Sequence, residues 1–188
     1  MKKGILFIVA MICAITCMAE EHLKFKGIPI EGSMKSFCAK LVEKGYVKVE
    51  SDANSTLFRG DFAGSNATIG VVSDDEGENV FSVIVMFDGS DEWRVLLNTY
   101  NYYKDLYTRK YGKPAQVVEN NPAHSDSNAA LMAEVNDRTV VWGCLWELPA
   151  GEIEISIEKA SYYTGCVIVR YRDFQNEEAK IQKVLEDI

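Results

Sequence analysis

The segment "GEIEISIEK", Gly151–Lys159, alternates apolar and polar side chains over most of its length. Its three isoleucines lie on one side of an extended chain and its glutamates on the other, because successive side chains of a strand point to opposite faces. One apolar face and one charged face are typical of an antiparallel sheet that packs on a core and meets water on its other side. The segment therefore predicts an antiparallel sheet.

Three further segments have the composition of strands: "VFSVIVMF" (Val80–Phe87), "TVVWGCLWEL" (Thr139–Leu148) and "CVIVRYRD" (Cys166–Asp173). They are rich in β-branched and aromatic residues, and the turn-forming stretches "DDEGEN", "PAG" and "SYYTG" separate the segments. A shorter strand is expected near "LKFKGIPI". Together these segments supply a sheet of several strands.

Two segments have the apolar spacing of amphipathic helices. In "SMKSFCAKLVEKGY" the spacing is i, i+3, i+4, i+7, with Ser33 as a candidate N-cap and Gly45 as the stop. The second helix is predicted within "DEWRVLLNTYNYYKDLYTRKYGKP", Asp91–Pro114, where Gly112 and Pro114 end the pattern. Its tyrosines recur at helical spacing, which we interpret as core packing rather than as a binding ladder.

The order of these elements predicts an α+β fold. We expect a twisted antiparallel sheet with the two amphipathic helices on one face, a helix-then-meander unit repeated twice, and a short C-terminal helix from Asn176. The polar, aperiodic segment "VENNPAHSDSNAA", Val118–Ala130, is expected to be a flexible insertion. A single α+β domain is therefore predicted for residues 20–188.

The first residues have the pattern of a cleaved secretory signal peptide, residues 1–19. Lys2 and Lys3 precede an apolar run that is short for a membrane span, and acidic residues begin at Glu20. The prediction is a secreted or periplasmic protein with no membrane span after cleavage. The alternative is a lipid-anchored protein at the outer-membrane surface, acylated at Cys17 or Cys13.

Charge excludes two classes of partner. The chain has 28 acidic and 20 basic residues, and two of the basic residues belong to the predicted leader. A mature chain with about 10 net negative charges repels nucleic acid and anionic lipid. We therefore expect neither nucleic acid nor an anionic membrane surface as a partner.

The residues that most often carry catalysis are sparse. Three widely spaced cysteines, Cys38, Cys144 and Cys166, remain after removal of the predicted leader, so at most one disulfide can form, and buried thiols are expected. Neither His22 nor His124 has a nearby cysteine or a serine in a nucleophile-elbow setting. The acidic stretch "SDDEGEN" lacks the spacing of a calcium loop and is interpreted as a hairpin turn. We therefore predict no catalytic residue, no metal site and no cofactor.

Arg59-Gly60-Asp61 matches a tripeptide that binds integrins in some secreted proteins. It lies within "TLFRGDFAG", where Phe58 and Phe62 share a face with Gly60 and the two charged residues share the other. Because an adhesive tripeptide works best at an exposed loop tip, we predict a structural role, with both charges pairing across the sheet.

The candidate binding surface is the second face of the sheet, opposite the expected core. Apolar residues are predicted on this face where polar ones are usual, and charged residues such as Glu147 and Arg170 surround them. The candidate residues are Val80, Ile84, Met86, Val141, Leu145 and Ile168. The alternative is that another element of the fold covers this face.

Several motifs carry a resemblance: "KGIPI", "GDFAG" and "KYGKP", in this order along the chain. With the segments around them, they resemble uncharacterised secreted proteins of gut bacteria of the Bacteroides group. The helix-then-meander outline is also similar to that of the beta-lactamase inhibitory proteins. The first resemblance implies export but no activity, and the second is an analogy at the level of the fold.

The functional hypothesis is a non-catalytic binding or inhibitor-like interaction module, which acts on a protein partner or associates with itself. The alternative is a hydrolase of unfamiliar type that acts on polysaccharide or peptide. Such an enzyme needs two carboxyl groups that converge in one concave site.

Overall fold

The computed structural model describes residues 22–120 and 127–186. The predicted leader and His124 lie outside the described residues. The described chain is α+β, as predicted, with a large antiparallel sheet and four helices.

The strands are β1 (Lys24–Phe25), β2 (Ile28–Pro29), β3 (Val47–Ser51), β4 (Ser55–Phe62), β5 (Ser65–Ser73), β6 (Val80–Phe87), β7 (Gln116–Asn120), β8 (Val141–Leu148), β9 (Gly151–Lys159) and β10 (Gly165–Asp173). The helices are α1 (Met34–Glu43), α2 (Trp93–Tyr111), α3 (Asn128–Asn136) and α4 (Phe174–Glu186).

Eight strands form one sheet in the order β3-β4-β5-β6-β10-β9-β8-β7, and every neighbouring pair is antiparallel. Strands β3 to β6 follow one another as a meander, and so do β7 to β10. The two meanders meet at β6 and β10, where Met86 lies opposite Ile168 and Ile84 opposite Arg170. Strands β1 and β2 form a separate two-stranded hairpin.

One face of the large sheet, the core face, carries the fully buried side chains. In β9 the three isoleucines predicted to face the core are buried, and the glutamates on the opposite face are half-buried. The buried residues of α1 and α2, such as Phe37, Leu41 and Tyr103, belong to one hydrophobic cluster with the core face. The rings of Tyr103 and Phe87 stack at 4.2 Å between centroids.

The helix ends follow the capping residues in the sequence. The Ser36 backbone N–H donates to Ser33 Oγ at 3.3 Å, as expected for the N-cap of α1. Gly45 and Gly112 follow α1 and α2 with φ of +91° and +86°, which is a conformation that favours glycine. The predicted boundaries of both helices are close to the observed ones.

The segment Val118–Ala130 differs from the flexible insertion that we predicted. Strand β7 extends to Asn120 and α3 begins at Asn128, while residues 121–126 lie outside the described part. Ser127 caps α3 by accepting a hydrogen bond from the Ala130 backbone N–H at 3.3 Å. Three apolar residues of α3, Leu131, Met132 and Val135, are buried in the core, which explains why a helix forms here.

A buried polar cluster joins the first described residues to the end of the sheet. Asp173, which is fully buried, accepts hydrogen bonds from the backbone N–H groups of Leu23 at 2.7 Å and Asn176 at 3.0 Å. Its carboxylate also lies 3.1 Å from His22 Nδ1. Asn176 Nδ2 donates to the carbonyl oxygens of Ile30 and Val80. Hydrogen bonds therefore connect the start of α4 to the residues that flank the β1–β2 hairpin and to β6.

No helix within the described ranges has both the length and the apolar character needed to cross a membrane.

Candidate functional site

Four of the six candidate residues lie on the second face with partly or largely exposed side chains: Ile84, Met86, Val141 and Leu145. Ile168 also lies on this face, opposite Met86, but it is buried. The structure thus brings Ile84, Met86 and Ile168 together at the junction of β6 and β10. Leu145 and Val141 lie farther along the sheet, in β8.

Val80 does not lie on the second face. The register between β5 and β6 shifts so that Ser73 lies opposite Val80, whereas Val72 lies opposite Ser82. Phe81 is the extra residue of a β-bulge, and such a residue reverses the alternation of faces before it. Val80 therefore points into the core and is fully buried.

Charged residues occupy the half of the second face next to this junction. Arg170 contacts Glu154 at 2.7 Å and Glu158 at 3.3 Å, and Arg172 contacts Glu152 at 2.7 Å. These ion pairs link β9 to β10. Each of these three β9 glutamates therefore lies within ion-pair distance of an arginine.

The integrin-like tripeptide lies inside β4. An ideal Cβ at Gly60 would lie 2.4 Å from Tyr46 Cδ1, and the Tyr46 hydroxyl donates to the Asp61 carbonyl oxygen at 2.9 Å. Arg59 forms an ion pair with Asp88 at 3.2 Å. The glycine thus serves the close approach of Tyr46, and the tripeptide lies along a strand, as predicted.

The acidic stretch folds around Asp74. Its Oδ1 accepts hydrogen bonds from the backbone N–H groups of Glu78 at 2.8 Å and Asn79 at 3.3 Å, and its Oδ2 accepts from Asn79 Nδ2. This carboxylate therefore stabilises the β5–β6 turn.

The three cysteines and His22 lie in environments that do not activate a nucleophile. Cys38, Cys144 and Cys166 are buried and unbridged in the described chain, and burial raises the pKa of each thiol. A raised pKa keeps a thiol protonated and poorly nucleophilic near neutral pH. His22 lies between the carboxylates of Asp173 and Glu31. The described residues hold no group of three or more potential metal ligands.

A second candidate site, which the sequence did not reveal, is a cavity of about 870 Å³ beside α2. Five parts of the chain surround it: the β1–β2 hairpin, the β4–β5 turn, the C-terminal half of α2, the β8–β9 turn and β10. We call it the aromatic cavity, because five aromatic residues line it: Phe62, Tyr103, Tyr107, Tyr111 and Tyr171.

The hydroxyl groups of its buried tyrosines already have hydrogen-bond partners. Tyr107 and Tyr171 share a hydrogen bond between their hydroxyls, and Tyr103 donates to the Phe62 carbonyl oxygen at 3.3 Å. Burial raises the pKa of each of these three hydroxyls, so they stay neutral at physiological pH. The rings therefore offer mainly apolar surface to the cavity.

Three lysines lie around this apolar surface. Lys24 and Lys26 come from the β1–β2 hairpin, and Lys110 comes from the last turn of α2. Lys26 Nζ lies 5.8 Å from the Phe62 ring centroid, and Lys110 Nζ lies 4.7 Å from that of Tyr111. Among the described residues that line the cavity there is no carboxylate.

Sequence reasoning assigned the tyrosine stripe of α2 to the core, and Tyr100, Tyr103 and Tyr107 are indeed buried. Tyr103 and Tyr107 nevertheless contribute to a cavity wall together with Tyr111. The sequence did contain a signal for a binding site. Tyrosines recur on the buried face of α2, where leucine is the more usual core residue, and Lys110 lies beside the last of them. This signal could not be interpreted without the partners that face these rings from distant segments.

Comparison with protein-family models, curated proteins and solved structures finds no match for this chain in any of the three.

Proposed function

We propose that the protein is a non-catalytic binding module and that its ligand occupies the aromatic cavity. The observation that carries this proposal is the cavity of about 870 Å³ with five aromatic side chains in its lining. Small-molecule sites in proteins are typically concave, largely apolar and roughly 300–1,000 Å³ in volume, with a few polar groups at defined positions. The aromatic cavity has each of these properties.

The test uses N-phenyl-1-naphthylamine, an uncharged dye that becomes fluorescent in apolar sites. The purified chain is expected to bind it with a dissociation constant in the micromolar range, on the order of −8 kcal/mol. Leu106→Trp fills the cavity from its half-buried wall and is expected to weaken binding about tenfold or more. Val95→Trp, at an exposed position of the same helix, is the matched control and should bind as the wild type does.

A folded wild-type chain that does not bind the dye would contradict this proposal. Equal binding by Leu106→Trp and the wild type would place the dye elsewhere and contradict it too. Circular dichroism of each variant shows whether the fold is kept.

A second candidate function, contact with a protein or with a second copy of this chain, is favoured by the half-exposed Ile84 and Met86 beside Arg170. For self-association we expect light scattering to give the mass of a dimer, and Ile84→Lys to give a folded monomer. Val42→Lys, at an exposed position of helix α1 outside this surface, should remain dimeric. A monomeric wild type overturns self-association.

We further propose that the chain is exported and that residues 1–19 are removed. The basic start, the short apolar run and the acidic residues after it support this proposal. The mass of the chain recovered from a secreting host is expected to correspond to a start at Glu20. A retained leader or an acyl group on Cys17 would contradict it.

The proposed architectural duplication is supported by the sheet order. Helix α1 precedes the meander β3 to β6, and α2 precedes β7 to β10, with α3 inserted after β7. The buried residues of α1 and α2 lie in one cluster, which supports their placement on the same face. Superposition of residues 34–87 on residues 93–173 should align four strands in the same order, and a failure to do so would reject the duplication.

A further inference from the structure

We infer that the aromatic cavity takes a small anionic amphiphile, whose carboxylate lies among the lysines and whose apolar body lies on the tyrosines. This inference rests on the proposed function, namely that the cavity is the binding site. It adds the chemical class of the ligand.

The first argument is the sign of the charge around the cavity. The chain has more acidic than basic residues, 28 against 20. The described lining of the cavity reverses this balance, since it holds Lys24, Lys26 and Lys110 and no acidic residue. Positive side chains around a low-dielectric cleft attract anions and raise their local concentration. A cationic ligand would be repelled here.

The second argument is the state of two of these lysines. Lys26 Nζ lies over the ring of Phe62 and Lys110 Nζ over that of Tyr111, and within the described ranges neither lysine forms an ion pair with a carboxylate. Both side chains are exposed, so their ammonium groups can turn toward a ligand. An ammonium group that gains a carboxylate forms a charge-assisted hydrogen bond, which is stronger than a neutral one.

The third argument is the apolar surface that the tyrosine rings present to the cavity. The hydroxyls of Tyr107 and Tyr171 bond to each other, and that of Tyr103 bonds to backbone. Their rings are left to pack against apolar ligand atoms, together with Leu106 and Leu148. A ligand with a charged head alone would leave this surface without a partner. A ligand with an apolar body and one anionic end matches both parts of the site.

The experiment is competition against bound N-phenyl-1-naphthylamine by three ligands with the same twelve-carbon chain: dodecanoate, dodecanol and dodecylammonium. Dodecanoate is expected to displace the dye at a concentration at least about tenfold lower than dodecanol does, since tenfold corresponds to roughly 1.4 kcal/mol. Dodecylammonium is expected to be the weakest. The advantage of dodecanoate over dodecanol should shrink at high salt, because salt screens exposed charges.

The variant Lys26→Gln/Lys110→Gln assigns this advantage to the lysines. The double variant should bind dodecanoate about tenfold more weakly than the wild type does, while its affinities for dodecanol and the dye stay unchanged. Lys159→Gln, at the far end of β9 from the β8–β9 turn, is the matched control and should leave the order of ligands unchanged.

The outcomes separate the two proposals. If the dye binds but dodecanoate and dodecanol displace it equally, the inference of an anionic ligand is overturned and the binding module stands. The same holds if dodecanoate keeps its advantage in the double lysine variant. If neither the dye nor dodecanoate binds to the folded wild-type chain, the proposed function fails and this inference fails with it.

Discussion

At Gly60 the sheet approaches the ring of Tyr46 more closely than a side chain on the strand would allow. An ideal Cβ there would lie 2.4 Å from Tyr46 Cδ1, inside the van der Waals contact distance. At Gly70, also in a strand, an ideal Cβ would lie 3.5 Å from the nearest atom, Leu57 Cδ2, which is an ordinary contact. The two glycines therefore have different roles.

Gly60→Ala is expected to lower the free energy of unfolding by about 1–3 kcal/mol, because the ring of Tyr46 must move to admit the methyl group. Gly70→Ala should be neutral or slightly stabilising, since glycine is unfavourable within a strand. Urea denaturation of both variants provides the measurement. Equal stability of the two variants would show that the Tyr46 contact does not constrain this strand.

The sequence predicts the face on which a strand residue lies where apolar and polar residues alternate regularly. The prediction fails where an extra residue interrupts the alternation. The isoleucines of β9 and the positions of Ile84 and Met86 follow from a period of two. Val80 does not, because the bulge at Phe81 reverses the faces before it. A bulge depends on the pairing with β5, and the local sequence does not display that pairing.

The attachment of helix α4 depends on one buried side chain, that of Asp173. Asp173 caps it by accepting from the Asn176 N–H, and the same carboxylate accepts from the Leu23 N–H of the segment that leads into β1. One buried side chain thus fixes a helix terminus and the base of the β1–β2 hairpin, which carries two of the cavity lysines.

Asp173→Ala is expected to destabilise the protein by about 2–4 kcal/mol, because it removes a cap and leaves buried N–H groups without an acceptor. Asp173→Asn keeps one acceptor oxygen and should cost less. Because the hairpin loses its anchor, dye binding in the aromatic cavity should also weaken in Asp173→Ala. Asp52→Ala, at an exposed turn, should stay within ~0.5 kcal/mol of the wild type. An Asp173→Ala protein as stable as Asp52→Ala would contradict this assignment.

Elements with strong local signals were predictable from the sequence: α1 and α2 through spacing and caps, and β6, β8, β9 and β10 through composition. Strands β3 and β7 have exposed side chains throughout and form the two edges of the sheet. No buried face imposes a pattern on such strands. Helix α3 is short and follows a polar segment, so its buried residues did not stand out as a periodic pattern.

Across the whole molecule, buried tyrosines make stability sensitive to alkaline pH. Burial, with a smaller effect from the Asp61 charge, raises the pKa of Tyr46 to about 12. Burial is also the main cause of the raised pKa values of Tyr100, Tyr103, Tyr107 and Tyr171. In the unfolded chain a tyrosine has a pKa of about 10. Above that pH the unfolded state has released protons that the folded state still holds.

Stability should therefore be fully present below about pH 10 and fall as the pH rises toward 12, by up to ~1.4 kcal/mol per pH unit for each tyrosine. Urea denaturation at a series of pH values gives this slope, and tyrosinate absorbance reports the titration. Tyr46→Phe is less stable near neutral pH because it loses a hydrogen bond, yet its decline above pH 10 should be shallower. A wild-type stability that does not change between about pH 9 and pH 11 would contradict the prediction.

The aromatic cavity is also a property of the whole molecule, and for this reason the sequence did not predict it. Its lining comes from residues as far apart as Leu23 and Tyr171. The fold class required only local patterns, but the cavity required the long-range arrangement that places the hairpin, α2 and β10 around one space.

The junction of β6 and β10 also has a consequence for how the protein assembles. β10 is the last strand along the chain, yet it lies at the centre of the sheet and pairs with the end of the first meander. Until it arrives, β6 is an unpaired edge with apolar residues on both of its faces, and such an edge can pair with other chains. We expect this distant contact to form slowly, because a long loop must be ordered first. Refolding should therefore compete with aggregation at high concentration, and a chain that stops before Gly165 leaves this edge permanently open.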